Sequence, residues 1–399
     1  MVARYRYVIV GAGVAGASAV NGIREWDGGS ILLIGAEPHP PYHRPPLSKD
    51  LWLGRQSLET ISVEPEEFWL RRRVELVTGT RVVALDPIRR QVVDGRGQAY
   101  GYEKLLLATG GEARRLAIPG ADLEGVYHYR TIDDYLGTRA RARAGSSVLV
   151  IGTDIVGLEI AAALAANRVD VTMLVPERSL AAQVLPEELS RVLAARYVDH
   201  GIHMLMADAP VMIERANSRL RTSTQRGAHI DSDVVLVTLG ITPSVALAER
   251  AGLKVGDGIV VDEYLRTSDP SIFAAGDIAL FPSPFLEEPR RLERWDNAWM
   301  QGKLAGVNMT GRFERYDEMP RFFADLFDLD IDAVGEISTT LDTLVDWNPK
   351  ELSGTIFYLR RGQVRGVLFC NRPGKLDAAR QLVTRSVPGD DEEDPRWSL

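Results

Sequence analysis

The sequence predicts an α/β protein with two Rossmann-like nucleotide-binding domains, the second inserted into the first, and a smaller α+β C-terminal domain. Three observations lead there. The apolar run Tyr7 to Val10 leads into Gly11-Ala12-Gly13-Val14-Ala15-Gly16 and an Ala-rich helical stretch, which is the strand, tight turn and helix order of a dinucleotide-binding unit. A second unit opens the same way at Ser147 to Ile151 and continues as Gly152-Thr153-Asp154-Ile155-Val156-Gly157. Further on, Ser271-Ile272-Phe273-Ala274-Ala275-Gly276-Asp277 reads as a short strand and a Gly-Asp turn that would complete the first unit's sheet. The implied segments are 1–112 and 243–315 for the first nucleotide domain, 113–242 for the second, and 316–399 for the C-terminal domain.

Bulk composition bounds the function. At 399 residues the chain exceeds one core of usual size. Forty-seven basic against 55 acidic side chains leave a net charge of −8, which argues against nucleic acid or an anionic membrane as a default partner. The single cysteine, Cys370, rules out a disulfide framework or a paired-cysteine redox centre within the chain, so any redox chemistry needs a bound cofactor. On its apolar strand Cys370 reads as inert packing. None of the six histidines falls in a metal-ligand spacing, so no metal is expected. No apolar run reaches the roughly 20 residues of a membrane span, and a strand starting so near Met1 leaves no room for a leader, so a cytoplasmic location is expected. Arg71-Arg72-Arg73, Arg89-Arg90 and Arg290-Arg291 read as solvated faces, and the acidic tail Gly389 to Asp394 as disordered.

Taken in order, Ile31 to Ile34 is the next buried strand, and Glu37 just beyond it stands about 20 residues past the glycines, where a carboxylate accepts from a ribose hydroxyl. Pro38 to Pro46 is proline-rich, so Tyr42-His43-Arg44-Pro45-Pro46 should be extended, with Ser48 capping a helix that starts near Leu47. Short alternating strands fill Val74 to Tyr100, and Leu105 to Gly111 is a buried strand ending in a glycine turn. In the second unit a helix over Val156 to Ala166 leads to the strand Asp170 to Val175 and then Glu177. Val234 to Gly240 is another buried strand. Strands at Gly354 to Leu359 and Val364 to Phe369 and an Arg-rich helix end the pattern. Asp154 stands where the second unit's middle glycine should be, adding bulk and negative charge at an anion-binding helix terminus.

Pro41-Tyr42-His43-Arg44-Pro45-Pro46-Leu47-Ser48-Lys49, Ala108-Thr109-Gly110-Gly111, Gly157-Leu158-Glu159, Ala275-Gly276-Asp277 and Glu293-Arg294-Trp295-Asp296-Asn297-Ala298 together make the chain resemble FAD-dependent pyridine-nucleotide oxidoreductases. The nearest branches are apoptosis-inducing-factor-like flavoproteins and the ferredoxin reductases of aromatic-ring dioxygenase systems. The resemblance implies FAD held by Gly11, Gly13, Gly16 and Glu37, with Arg44 and Arg130 directing positive charge toward its phosphates and Asp277 accepting from its ribityl chain. It also assigns Val83, Ala108, Thr109, Gly110, Gly276, Glu293 and Arg294 to the flavin nucleotide, the last departing from a histidine in the apoptosis-inducing-factor branch. Gly152, Ile155, Glu177 and Gly240 are assigned to a nicotinamide nucleotide, with Glu177 favouring NADH and the adjacent Arg178 leaving NADPH open.

By the same resemblance Lys49 and Glu159 form the redox centre's inner pair, and Trp295 packs beside the flavin as a gate or electron-exit residue. The implied activity is NAD(P)H oxidation with electrons passed to a carrier such as a ferredoxin. Two alternatives stand beside it: an FAD enzyme with a degenerate NADH site acting on another small molecule, and a redox-signalling flavoprotein whose reduced state changes its dimerisation.

Overall fold

A computed structural model describes residues 2–286 and 288–385; the acidic tail lies outside them. Contacts divide the chain into two compact units.

The first unit comprises Met1–His43, Leu58–Glu112 and Thr242–Met319. Its sheet is built on β1 (Ala3–Val10), flanked in parallel by β2 (Ile31–Ile34) and then β3 (Val74–Val77) on one side. On the other side β6 (Ala99–Leu107) pairs in parallel with β1 and continues antiparallel to β5 (Gln91–Asp94) and β4 (Val82–Asp86). The late strand Ile272–Ala274 returns to this sheet, pairing in parallel with β6 through Ile272 and Leu105. Val8, Ile9, Leu32, Leu33, Leu105 and Leu106 are fully buried, as the unbroken apolar runs of a parallel sheet covered on both faces require.

Helix α1 (Val14–Trp26) follows β1 and packs on the helix Trp295–Met309. The two backbones approach so closely that an added Cβ would lie 2.2 Å from the Ala15 carbonyl oxygen at Gly302, 2.2 Å from that of Ala19 at Gly306, and 2.0 Å from that of Lys303 at Gly22. A row of small residues thus lets the two helices pack backbone to backbone.

The second unit comprises Arg44–Ser57, Ala113–Ile241 and the described part of Pro320–Leu399. Its parallel sheet has the order His203–Met206, Asp170–Val175, Ser147–Ile151, Val234–Val237, Val126–His128. A three-stranded antiparallel sheet runs over 210–232, and the residues from Pro320 onward form a five-stranded antiparallel sheet followed by the helix Leu376–Arg385. The C-terminal sheet is tied into this unit by the Tyr358 hydroxyl, which donates to the Val184 carbonyl at 2.6 Å, and by the Thr339 amide, which donates to that of Gln183 at 3.0 Å.

Three local expectations differ from the structure. Pro45–Leu47 is a short 3-10 helix rather than extended chain, because proline's fixed φ suits a first helical turn as well as an extended strand. Ser48 follows this turn instead of capping a new helix, and its hydroxyl donates to the Pro45 carbonyl and to Glu159. Arg291 is not a solvated charge: its side chain is 5% exposed, and its guanidinium donates to the Asp257 carbonyl, the Asp277 carbonyl and the Glu293 carboxylate. Arg71, Arg72, Arg73, Arg89, Arg90 and Arg290 are exposed.

Candidate active site

The three glycines after β1 do different work. Gly11 has φ +116°, and a Cβ there would lie 2.1 Å from the Ala108 carbonyl oxygen; at Gly16 it would lie 2.0 Å from that of Gly11. The fold itself therefore demands both. Gly13 is different, since its backbone is extended (φ −90°, ψ −170°), open to any residue, and an added Cβ would meet nothing within 4 Å. No side chain caps the first turn of α1. The middle glycine leaves an open approach to uncapped helix amides, the arrangement that receives a pyrophosphate.

The Gly-Asp turn and the 108–110 segment lie beside that turn, whereas Val83 does not come near it. Gly276 has φ +82°, and a Cβ there would come 3.0 Å from the Ala15 Cβ and 3.5 Å from the Ala298 Cβ, so the Gly-Asp turn lies against the first turns of both helices. Its amide donates to Gln301 Oε1 at 2.9 Å. Arg291 pins the Asp277 carbonyl at 3.1 Å and the Glu293 carboxylate at 2.7 Å. Ala108, Thr109 and Gly110 close the far side, with the Thr109 hydroxyl donating to the Ser244 carbonyl at 3.3 Å. Glu37 lies beyond β2, its carboxylate accepting from the Tyr42 hydroxyl at 2.6 Å. Val83 is exposed on β4, and its carbonyl accepts from Arg250 at 3.3 Å.

Trp295 opens the Trp295–Met309 helix, its indole Nε1 donating to His43 Nδ1 at 2.9 Å, and its ring stacks on Trp299 with centroids 5.8 Å apart and planes inclined by 18°. Arg294, the residue before it, has its guanidinium pKa lowered to about 10 by burial, against the pull of Asp296; it stays charged at neutral pH.

In the second unit, Lys49 Nζ lies 3.3 Å from Glu159 Oε1 and 3.6 Å from Asp325 Oδ2. Glu159 is buried on the inner face of the helix Ile155–Ala166 and also accepts from the Ser48 hydroxyl. Burial raises the Glu159 pKa above the ordinary carboxylate value, outweighing Lys49 and Ser48. Burial alone would lower the Lys49 ammonium, but Glu159 and Asp325 reverse that and hold it above its ordinary value. Arg44 donates to the Arg130 carbonyl at 2.9 Å in this unit.

The second cradle keeps its outer glycines for the same steric reason as the first. Gly152 has φ +119° with a Cβ position 2.0 Å from the Thr238 carbonyl oxygen, and at Gly157 a Cβ would lie 2.3 Å from Thr238 Oγ1. Asp154 replaces the open middle position. Its carboxylate turns onto its own helix as N-cap, accepting from the Gly157 amide at 2.8 Å. Ile155 is the first helical residue, Glu177 follows its strand and accepts from the Thr153 hydroxyl at 3.2 Å, and Gly240 (φ +78°) follows Val234–Val237.

His43, Ser48, Trp299, Arg291 and Asp325 were not singled out as site residues by sequence reasoning. Ser48 and His43 lie in the run from Pro41 to Lys49 that carries the family resemblance, whereas Asp325 gives no signal, being an acid on a strand far along the chain. Among the described residues no three His, Cys, Asp or Glu side chains gather to hold a metal, and no helix is long and apolar enough to cross a membrane.

Residues 5–302 match the pyridine nucleotide-disulphide oxidoreductase family model, and the chain belongs to that family, a family of oxidoreductases with the two-Rossmann fold described above. More particularly, it is 34% identical to rhodocoxin reductase of Rhodococcus erythropolis over 96% of this chain and 90% of that protein. It is also 34% identical to the ferredoxin–NAD(+) reductase component of the anthranilate 1,2-dioxygenase system of Burkholderia cepacia, over 98% of each. The reductase in a covalent putidaredoxin reductase–putidaredoxin complex superposes with a TM-score of 0.90 at 29% identity, covering 97% of this chain and 94% of that one.

Proposed function

We propose that this chain is an FAD-dependent NAD(P)H oxidoreductase that takes electrons from NADH and delivers them to a ferredoxin-type iron-sulfur carrier, in a cytoplasmic setting. The observation that carries the reading is Gly13. The fold has no steric need for a glycine there, so its missing side chain is explained by a group that comes in against the α1 amides, and the flavin nucleotide's diphosphate fits that space. Held at the Gly11-Gly13-Gly16 turn, a flavin would supply hydride acceptance and one-electron release, chemistry that this chain's one cysteine, buried, cannot supply.

The chain's own residues orient and tune that group. Glu37, held by Tyr42, is suited to accept from the adenosine ribose, and Asp277, whose backbone Arg291 fixes, from the ribityl chain. Lys49 supplies a cation for the reducible ring, and Glu159 holds that ammonium in place. Trp295 is assigned to the electron-exit edge. Reductase relatives that serve rhodocoxin, putidaredoxin and dioxygenase ferredoxins favour a small iron-sulfur partner over a quinone.

Anaerobic mixing of the yellow holoprotein with NADH tests the reading. Flavin absorbance should bleach within minutes at millimolar NADH and return on adding an oxidised [2Fe–2S] ferredoxin; a spectrum that NADH leaves unchanged refutes it. Asp154 supports a second reading, in which FAD is kept and NADH binds weakly, because its carboxylate occupies an amide the diphosphate would use.

A further inference from the structure

Trp295 is held from two sides. Trp299 stacks on one face, itself anchored where its carbonyl accepts from the Ser18 hydroxyl at 2.7 Å. On the edge, the indole N–H meets His43 Nδ1 at 2.9 Å, with ring centroids 5.4 Å apart. His43 is fixed in turn through its backbone, whose amide donates to the Ile61 carbonyl at 2.8 Å beside the Tyr42–Ser62 bridge.

An indole N–H only donates, so its partner must present a lone pair. The contact exists only while Nδ1 carries no proton, which makes His43 neutral in this arrangement. Burial lowers the His43 pKa, partly offset by Glu64, the charged group that acts on the imidazole from the 62–65 segment. On the Trp295 side the flanking charges are Arg294 and Asp296. Protonation at acid pH would set one donor against another and release the indole.

We propose that His43 is a positioning residue for Trp295: its unprotonated Nδ1 orients the indole, and a proton there frees the ring, so that delivery of electrons to the carrier falls in acid while uptake from NADH does not follow the same titration. This rests on the electron-exit role assigned to Trp295, but the pairing itself is independent of it.

The experiment uses the FAD-loaded protein with 15N-labelled tryptophan. The Trp295 indole resonance, assigned from Trp295→Phe, should titrate with a midpoint below about 6.5, the ordinary histidine value. That titration should vanish in His43→Gln, whose amide oxygen can accept the indole but cannot titrate. With cytochrome c as one-electron probe, His43→Phe should lower kcat roughly fivefold at pH 7.5 without raising KM for NADH, while His43→Gln keeps most of kcat and loses the acid fall. An indole resonance that ignores pH, or one that still titrates in His43→Gln, overturns the pairing. A titrating indole with a wild-type pH profile in His43→Gln overturns its role in electron delivery. If NADH fails to bleach the flavin, the oxidoreductase reading falls, and the resonance still decides the pairing.

Discussion

Gly13→Ala separates what the fold needs from what a ligand needs. At Gly13 the backbone lies in the extended region and the added methyl meets no atom within 4 Å, so the apoprotein should change by no more than about 1 kcal/mol, the less flexible unfolded chain offsetting alanine's poorer fit at this N-cap position. Gly11→Ala is the control: its methyl would sit 2.1 Å from the Ala108 carbonyl oxygen on a backbone with φ +116°, costing about 2 to 6 kcal/mol in strain and overpacking. Ligand binding should behave in the opposite sense. With FAD in hundredfold excess over its dissociation constant the native protein gains about 2.7 kcal/mol, and each tenfold loss of affinity removes about 1.4 kcal/mol of that increment. Gly13→Ala should weaken FAD binding at least tenfold. The assay is paired denaturant melts of apo- and FAD-loaded protein, with flavin fluorescence for affinity. Wild-type FAD affinity in Gly13→Ala, or an apoprotein destabilised by more than about 2 kcal/mol, would refute the reasoning.

Other positions give sharp tests. Asp154→Asn keeps an acceptor for the Gly157 amide but removes the charge, and Asp154→Gly removes both; both should bind NAD+ more tightly by calorimetry, several-fold or more, at a stability cost of no more than about 1 kcal/mol, and unchanged affinity in both would show that the carboxylate is no obstacle. Glu159 holds its proton to higher pH when folded than when unfolded, so its contribution to stability is full below its ordinary pKa and fades as pH rises through the folded value. The urea midpoint of wild type relative to Glu159→Gln should accordingly fall as pH rises above the ordinary carboxylate value of 4.5, and a gap that widens with pH would reverse the assignment. Burial, with Asp330 and Asp328, pushes the Cys370 thiol up to about 12, so a thiol reagent at pH 8 should label it only in denaturant; full labelling of native protein within minutes would contradict that burial.

The strand, glycine turn and helix of each nucleotide unit were legible in the sequence because they are local. A buried parallel strand writes itself as an unbroken apolar run, as at Ile31–Ile34, 148–151 and Val234–Val237, and the turn after β1 needs glycines at fixed offsets. What tertiary structure decided was everything that depends on partners distant in the chain. Sequence spacing marked Gly11, Gly13 and Gly16 alike, whereas only the packing of Ala108 and the free space beside Gly13 distinguish scaffold glycines from the one left open. Ser48 looked like a cap and proved to be a ligand of Glu159, 111 positions away. Arg291 looked solvated and is buried beneath the Gly-Asp turn, His43 gained its meaning from an indole 252 positions on, and Asp325 joined Lys49 from a strand with no motif at all. Apolar periodicity and turn geometry act over a few residues and leave their mark on composition. Hydrogen bonds and ion pairs between remote side chains depend on where the backbone has brought them, and that placement exists only once the chain has folded.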